Sequence, residues 1–83
     1  MPKLHKSLEY FLRQPAPKSA RRADVEKALE LLGFHPKGSK GSHYLWEHPD
    51  GRRIGYSLVH GRTVKVWVVE EIATEIRKAE MGE

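Results

Sequence analysis

The stretch HYLWEHPDGRRIGYSL, residues 43–58, holds two strand-like segments joined by Pro-Asp-Gly, and it decides the predicted fold. Proline suits the second position of a type I turn, aspartate the third, and glycine the left-handed position that follows. We therefore predict a hairpin with a three-residue loop. In this register Trp46 faces Ile54 and Tyr44 faces Tyr56.

The register separates the two faces of the hairpin, because successive strand side chains point to opposite sides. The face turned to the core carries apolar residues: Tyr44, Trp46, Ile54, Tyr56 and Leu58. The other face carries His43, Leu45, Glu47, Arg53, Gly55 and Ser57. A two-residue loop would shift the pairing by one and divide the apolar set, so the three-residue loop is favoured. His43 then points away from the core.

An apolar stripe at helical spacing predicts an N-terminal helix over residues 4–13, which Pro-Ala-Pro at 15–17 ends. The stripe consists of Leu4, Leu8, Phe11 and Leu12. We expect residues 1–18 to form this helix and a proline-containing linker, and residues 19–83 to form the main domain.

A second helix is predicted from between residues 20 and 24 to Leu32, with Gly33 in the left-handed C-cap position. Either Ser19 or Asp24 is available to cap its start. Its apolar stripe is Val25, Ala28, Leu29 and Leu32.

The remaining segments complete the predicted order. A short strand over 34–37, interrupted by Pro36, leads into KGSKGS at 37–42, a glycine-rich loop or bulge. The last segment combines strand propensity with helical spacing in Val66, Val69, Ile72, Ala73 and Ile76. We predict a helix from residue 66 or 67 to 80. The order α-α-β-β-β-α indicates an α+β fold, in which a three-stranded antiparallel sheet packs against helices.

Length and composition exclude several classes of protein. The chain has 83 residues, which suits one small domain, and no cysteine, which excludes disulfides and cysteine-based zinc sites. The start of the chain does not resemble a signal peptide, and no apolar run is long enough to span a bilayer. We therefore expect a cytoplasmic protein without a membrane partner.

The net charge of +4 is localised. Residues 35–65 carry six basic and two acidic side chains, so all of the excess charge lies in the middle of the chain. A localised basic patch is typical of a nucleic-acid-binding protein, although small soluble proteins are also often mildly basic.

The five histidines do not form a metal-binding pattern. No two of them have the i, i+4 helical spacing of zinc peptidases, and His43 and His48 point to opposite faces of one strand. We therefore expect neither a metal site nor a cofactor. His43 stands out because it begins a strand, faces solvent and follows a basic glycine-rich segment, and histidine exchanges protons near neutral pH.

Four short motifs in order resemble the HicA-type toxins, small ribonucleases of toxin–antitoxin modules. They are LGF at 32–34, GSH at 41–43, HPDG at 48–51 and HG at 60–61, and the resemblance spans roughly residues 23–76. It implies a double-stranded-RNA-binding-domain-like fold and cleavage of messenger RNA, with His43 as the essential residue. It also implies a HicB-type antitoxin that covers the site and forms an oligomer with the toxin.

The chemistry that we expect is metal-independent. His43 acts either as general base on a 2′-hydroxyl or as general acid to the leaving 5′-oxygen. His60 is the candidate second proton-transfer group, or else a hinge residue of its loop. The alternative function is a non-catalytic RNA- or protein-binding module on the same fold.

The expected RNA- and phosphate-binding residues surround His43 in the sequence. They are Lys37, Ser39, Lys40, Gly41, Ser42, Arg52, Arg53, Arg62 and Lys65. Backbone amides of the glycine-rich segment are candidates to cradle a phosphate. Tyr44 and Trp46 resemble base-stacking aromatics, but the hairpin register assigns them to the core.

Overall fold

A computed structural model describes residues 6–13, 15 and 17–80 of the chain, apart from the side chain of Glu80. The elements in chain order are α1 (Lys6–Glu9), which continues as a 3-10 turn (Tyr10–Leu12), β1 (Ala20–Arg21), α2 (Arg22–Leu31), β2 (His35–Lys40), β3 (His43–Glu47), β4 (Arg53–Ser57), β5 (Thr63–Val64) and α3 (Val66–Glu80). The predicted α+β fold is confirmed.

The central hairpin has the predicted register. Strand β3 pairs with β4 so that Tyr44 lies opposite Tyr56 and Trp46 opposite Ile54. The three-residue loop closes where the His48 amide donates to the Arg52 carbonyl at 2.8 Å. Gly51 has a φ of +98°, which is the left-handed conformation that the turn requires.

Strand β2 is longer than predicted, and this corrects the expectation of a loop over 37–42. The strand runs from His35 to Lys40 along the free edge of β3, in the sheet order β2-β3-β4. A register shift between Pro36 and Gly38 is the bulge that the sequence allowed. Backbone pairing with β3 thus outweighs the poor strand propensity of glycine and serine.

Helix α2 starts at Arg22, within the predicted range, and ends at the predicted glycine C-cap, but its start is not capped as predicted. The Phe34 amide donates to the Leu29 carbonyl at 2.9 Å and the Gly33 amide to the Glu30 carbonyl at 3.0 Å, which is a Schellman motif. Among the described residues no side chain caps the first turn, so neither capping candidate is used. The amide of Arg22 instead donates to the Arg62 carbonyl at 3.0 Å.

Of the other two helices, the N-terminal one differs from prediction at its end, whereas α3 has the predicted bounds. In the N-terminal helix Leu8 and Phe11 are buried as expected, but the last turn is 3-10, and residues 1–5, including Leu4 of the stripe, lie outside the described residues. Helix α3 starts at Val66, within the predicted range. Val66 was assigned to the buried stripe, yet it is exposed, because Val68 faces the core in its place.

A short two-stranded ladder was not predicted. Strand β1 pairs antiparallel with β5, so that Ala20 lies opposite Val64. Both residues are buried. The ladder joins the start of α2 to the segment before α3.

The core lies between the helices and one face of the sheet. It contains the predicted apolar residues of the hairpin together with the stripes of α2 and α3. Within it the Trp46 indole N–H donates to the Tyr56 hydroxyl at 3.1 Å. Burial raises the pKa of Tyr56, so that its phenol remains neutral as the acceptor. In the described part of the chain no helix combines the length and apolar character needed to cross a membrane.

Candidate active site

His43 lies on the solvent face of the sheet and is held by Ser57. The two residues are direct partners across β3 and β4. The His43 Nδ1 atom lies 2.7 Å from the Ser57 Oγ atom, within hydrogen-bond distance. The imidazole is exposed, and its Nε2 atom makes no hydrogen bond to any described residue. The contact therefore orients the ring and leaves Nε2 accessible to a substrate.

This hydrogen bond is compatible with either proton-transfer role. If Nδ1–H donates to Ser57 Oγ, then Nε2 carries a lone pair and can accept a proton. In the acid role the ring is an imidazolium, in which both nitrogens carry a hydrogen, so Nδ1–H again donates to Ser57 Oγ and Nε2–H is the proton that can be given up. In both roles Ser57 accepts from Nδ1, and Nε2 is the nitrogen that exchanges the proton.

Lys40 flanks His43 on the other side. It ends β2 and lies directly opposite His43, so Lys40, His43 and Ser57 form one row across the three strands. Directly opposed side chains in a sheet share a face and lie about 5 Å apart at Cβ. Lys40 is exposed and makes no ion pair with any described residue. A cation therefore lies beside the accessible histidine.

The row borders a surface depression of about 280 Å³, lined by His43, Tyr44, Gly55, Tyr56, Ser57 and Trp67. Gly55, which has no side chain, lines the depression together with a residue from the first turn of α3. Trp67 comes from that turn, and its side chain is half exposed. A histidine, a hydroxyl and an exposed indole are therefore brought together.

Arg52, one of the predicted phosphate-binding residues, makes ion pairs within the protein. Its Nε atom donates to Asp50 at 2.7 Å, its Nη1 atom pairs with Glu75 of α3, and its guanidinium lies over the Phe34 ring at 5.6 Å. The Arg52 backbone N–H also bonds to Asp50 and lowers the pKa of that carboxyl. The structure thus joins Arg52 to the hairpin turn and α3, and does not bring it near His43.

Lys37 and Arg53 share one carboxylate at the far end of the sheet. Glu47 accepts from Arg53 at 2.8 Å and lies 3.2 Å from the Lys37 ammonium. These two cations, Arg53 most strongly, lower the pKa of Glu47. Arg53 lies four residues before Ser57 on β4, roughly 13 Å along the strand. Both cations are therefore partly neutralised and remote from the histidine.

Arg62 and Lys65 are exposed and have no ion-pair partner among the residues that the structure describes. The backbone of Arg62 is fixed by the turn before β5, where its amide donates to Val59 at 3.0 Å. Lys65 immediately precedes α3 and lines a second depression, of about 380 Å³, beside Trp67. Of these two cations, Lys65 approaches the surface that carries His43.

The glycine-rich segment is divided between two faces. Ser39 lies opposite Tyr44, on the other side of the sheet from Lys40, and borders a separate depression that includes Arg22. Gly41 and Ser42 form the two-residue turn between β2 and β3, and Gly41 has a φ of +61°. This positive φ suits the first central position of a type II′ turn.

His60 occupies the turn between β4 and β5, where Val59 bridges Thr63. Its φ of +52° is unusual for a residue with a side chain. It lies outside both depressions that Trp67 borders. The structure therefore does not bring His60 together with His43.

His48 has a structural role at the hairpin loop. Its Nδ1 atom accepts from the Asp50 amide at 3.2 Å, and its ring packs edge-on against Phe34. No group of three or more His, Asp or Glu side chains comes together as metal ligands would anywhere in residues 6–80 that the structure describes.

Tyr44 and Trp46 belong to the core side, as the register indicated. Trp46 is 5% exposed, whereas Tyr44 is partly buried, stacks on Tyr56 and lies under the Arg22 guanidinium. Sequence reasoning missed two residues at the site, Ser57 and Trp67. The register already placed Ser57 opposite His43, whereas Trp67 gave no signal because it lies in a segment of mixed propensity.

The family model described as HicA toxin of bacterial toxin–antitoxin systems matches residues 22–81, which is most of the chain. Comparison with curated proteins and with solved structures gave no match. The match begins at the first residue of α2 and includes the whole sheet and α3. The double-stranded-RNA-binding-domain-like arrangement of these elements is the one that this family implies. The chain belongs to the HicA family of bacterial toxins.

Proposed function

We propose that this protein is the toxin of a type II toxin–antitoxin module and a metal-independent endoribonuclease that cleaves messenger RNA. The observation that carries the proposal is the 2.7 Å contact between His43 and Ser57 on an exposed sheet face. An imidazole fixed through one nitrogen presents the other to a substrate in a defined direction, which a proton-transfer catalyst requires.

The reaction uses the 2′-hydroxyl of the RNA as its nucleophile. In the base role, His43 Nε2 accepts the 2′-hydroxyl proton while the 2′-oxygen bonds to the adjacent phosphorus. The bond from phosphorus to the 5′-oxygen breaks, and that oxygen takes up a proton from water. The products are a 2′,3′-cyclic phosphate and a 5′-hydroxyl. In the acid role, the His43 imidazolium supplies the proton to the leaving oxygen, and water takes up the 2′-hydroxyl proton. DNA lacks the nucleophile, so the substrate is RNA.

Charge stabilisation comes from cations that make no ion pair with the residues that the structure describes. Lys40 lies next to His43 and Lys65 borders the surface beyond Trp67, so both are available to the phosphate. The amides of Gly41 and Ser42 are further donors at the end of the row. Donors fixed where negative charge develops stabilise a pentavalent phosphorane. Arg52 is left out of this set, because Asp50 and Glu75 engage its guanidinium.

The partner that this function requires is a HicB-type antitoxin that covers the depression beside His43. A toxin that cleaves cellular messages has to be masked in growing cells, and the exposed row of Lys40, His43 and Ser57 is the surface to be masked. In this proposal, an antitoxin that covers the row excludes RNA from Nε2 and forms one oligomer with the toxin.

The alternative is a non-catalytic RNA- or protein-binding module. The position of His60 favours it, because the described residues beside His43 include no second imidazole. In that case the basic surface is used for binding and His43 is incidental.

Replacing His43 by Ala distinguishes the two functions, and His35→Ala is the matched control. His35 is also exposed and also begins a strand, but it lies opposite Glu47 rather than Ser57. We expect His43→Ala to lower RNA cleavage about 10²–10⁴-fold and to abolish growth arrest, with binding of uncleavable RNA retained. His35→Ala is expected to cleave like the parent protein. Undiminished cleavage by His43→Ala would refute the proposal.

A further inference from the structure

Trp67 is exposed although most of the large apolar side chains are buried. The side chain is 50% exposed, whereas Trp46, the other tryptophan, is 5% exposed. Trp67 is the second residue of α3 and does not belong to the core cluster. A large exposed aromatic ring contributes little to folding, and such rings are enriched where a protein binds a partner.

The indole separates two depressions on the surface that carries His43. One, of about 280 Å³, lies between Trp67 and the His43–Ser57 pair. The other, of about 380 Å³, lies between Trp67 and Lys65. Each has the volume of roughly ten water molecules, so a planar base fits beside the indole. Trp67 therefore lies between the accessible histidine and an available cation.

The charges around the indole favour an anionic partner. Lys65 on one side and Lys40 beyond His43 are exposed and have no ion pairs with the residues that the structure describes. Aromatic rings next to basic side chains are the usual composition of single-stranded nucleic-acid sites, since bases stack on the rings and phosphates contact the cations.

We propose that Trp67 is a stacking platform for an unpaired base next to the phosphate at His43, which makes single-stranded RNA the substrate. The inference rests on the proposed function only in placing the scissile phosphate at His43. A base inside a duplex is already stacked on its neighbours, and A-form RNA presents its minor groove and its backbone. One projecting indole stacks on a base only if that base is unpaired. Although the fold resembles a double-stranded-RNA-binding domain, this site selects against duplexes.

The test compares binding of a single-stranded 2′-O-methyl oligoribonucleotide with binding of its duplex. The methyl group removes the nucleophile, so affinity is measured without cleavage. The variants are Trp67→Ala and Trp67→Leu, since leucine keeps an apolar side chain and removes the π face. Val66→Ala is the matched control, because Val66 is 44% exposed in the same turn and lies outside both depressions.

We expect both Trp67 variants to bind the single strand about 5- to 150-fold more weakly, with Val66→Ala within about twofold of the parent protein. Affinity for the duplex, which is weaker in the parent protein, is expected to change little. Intrinsic fluorescence of the parent protein should be quenched by the single strand, because Trp67 is the exposed tryptophan. Circular dichroism of each variant checks that the fold is retained.

Three results would overturn the proposal. Trp67→Leu could bind the single strand as tightly as the parent protein. Single-strand and duplex affinities could fall equally. The variants could also keep RNA affinity and lose only the antitoxin, which would assign Trp67 to a protein interface. The failure of the proposed function is separate: a parent protein that cleaves no RNA refutes the nuclease, while the affinity comparison still decides the role of Trp67.

Discussion

Ser57 gives the imidazole of His43 its direction. An exposed histidine rotates among several side-chain conformations, and only some of them present a ring nitrogen to a bound phosphate. The 2.7 Å contact between Ser57 Oγ and His43 Nδ1 selects one of them. Under the proposed function, Ser57 is a positioning residue, which acts through His43 and not on the substrate.

Ser57→Ala removes this contact and keeps the strand. We expect the catalytic rate to fall about 2- to 10-fold with KM unchanged, because a typical hydrogen bond contributes about 0.5–1.5 kcal/mol. The pH dependence of the rate should shift, and nitrogen NMR of His43 should show the two neutral tautomers redistributed. Ser57→Thr, which keeps the hydroxyl, is expected to restore the parent values. An unchanged rate and pH profile in Ser57→Ala would show that the contact has no catalytic role.

The pair of His43 and Ser57 could be predicted from the sequence, whereas the arrangement of the cations could not. The loop Pro49-Asp50-Gly51 fixed a register, and that register already put both residues on one face. Arg52 looked equally available for phosphate, but it pairs with Glu75, 23 residues further along the chain. A contact of that kind depends on how α3 packs, which no local pattern encodes.

Among the elements, the β3–β4 hairpin determines which side chains of the sheet face solvent. Its loop is closed by the amide of Gly51, which donates to the His48 carbonyl at 2.9 Å. Asp50 reinforces it by accepting from the Arg52 amide at 3.0 Å. Adding or removing one residue in the loop would shift the strand pairing by one and turn His43 toward the core.

Gly51→Ala tests the contribution of this loop to stability. The position has a φ of +98°, where a Cβ atom is strained, so we expect unfolding to become easier by about 1–2 kcal/mol. Gly38→Ala is the matched control: it adds the same methyl group in the same sheet, and no other atom lies within 4 Å of the new Cβ. Urea unfolding at constant slope measures both variants. Equal midpoints for the two would contradict the turn assignment.

The elements that the sequence predicted well are those with a repeating pattern or a distinctive turn. Helix α2, its glycine C-cap and the hairpin have such patterns. Strand β2 lacks one: all six residues, His35–Lys40, are exposed and three of them are Gly, Pro or Ser. It is a strand because β3 offers its edge, which is a tertiary effect.

In the whole molecule, the N-terminal segment is part of the same core as the sheet. Phe11 is 1% exposed and belongs to the cluster that contains Val69 of α3 and Leu29 of α2. The order of the main elements was predictable from sequence, but the β1–β5 ladder was not. Two-residue strands carry no periodicity, and their pairing joins segments more than 40 residues apart in the chain, which no local pattern encodes.

In the folded molecule, the basic side chains of residues 35–65 fall into two groups. Arg52, Arg53 and Lys37 pair with carboxylates at the hairpin end of the sheet. Lys40 and Lys65, which have no ion pair within the described part of the chain, lie toward His43 and Trp67. The uneven charge in the sequence thus becomes one available cationic surface beside the candidate catalytic group.

The measurement that tests the account most directly is the mass of the 5′ fragment of a single-stranded RNA cleaved in the presence of EDTA. We predict cleavage despite the chelator and a fragment that ends in a 2′,3′-cyclic phosphate. A single 2′-O-methyl group at the cleaved position should abolish the reaction. Cleavage that requires a metal ion, or a fragment that ends in a 3′-hydroxyl, would contradict attack by the 2′-oxygen with His43 as the proton-transfer group.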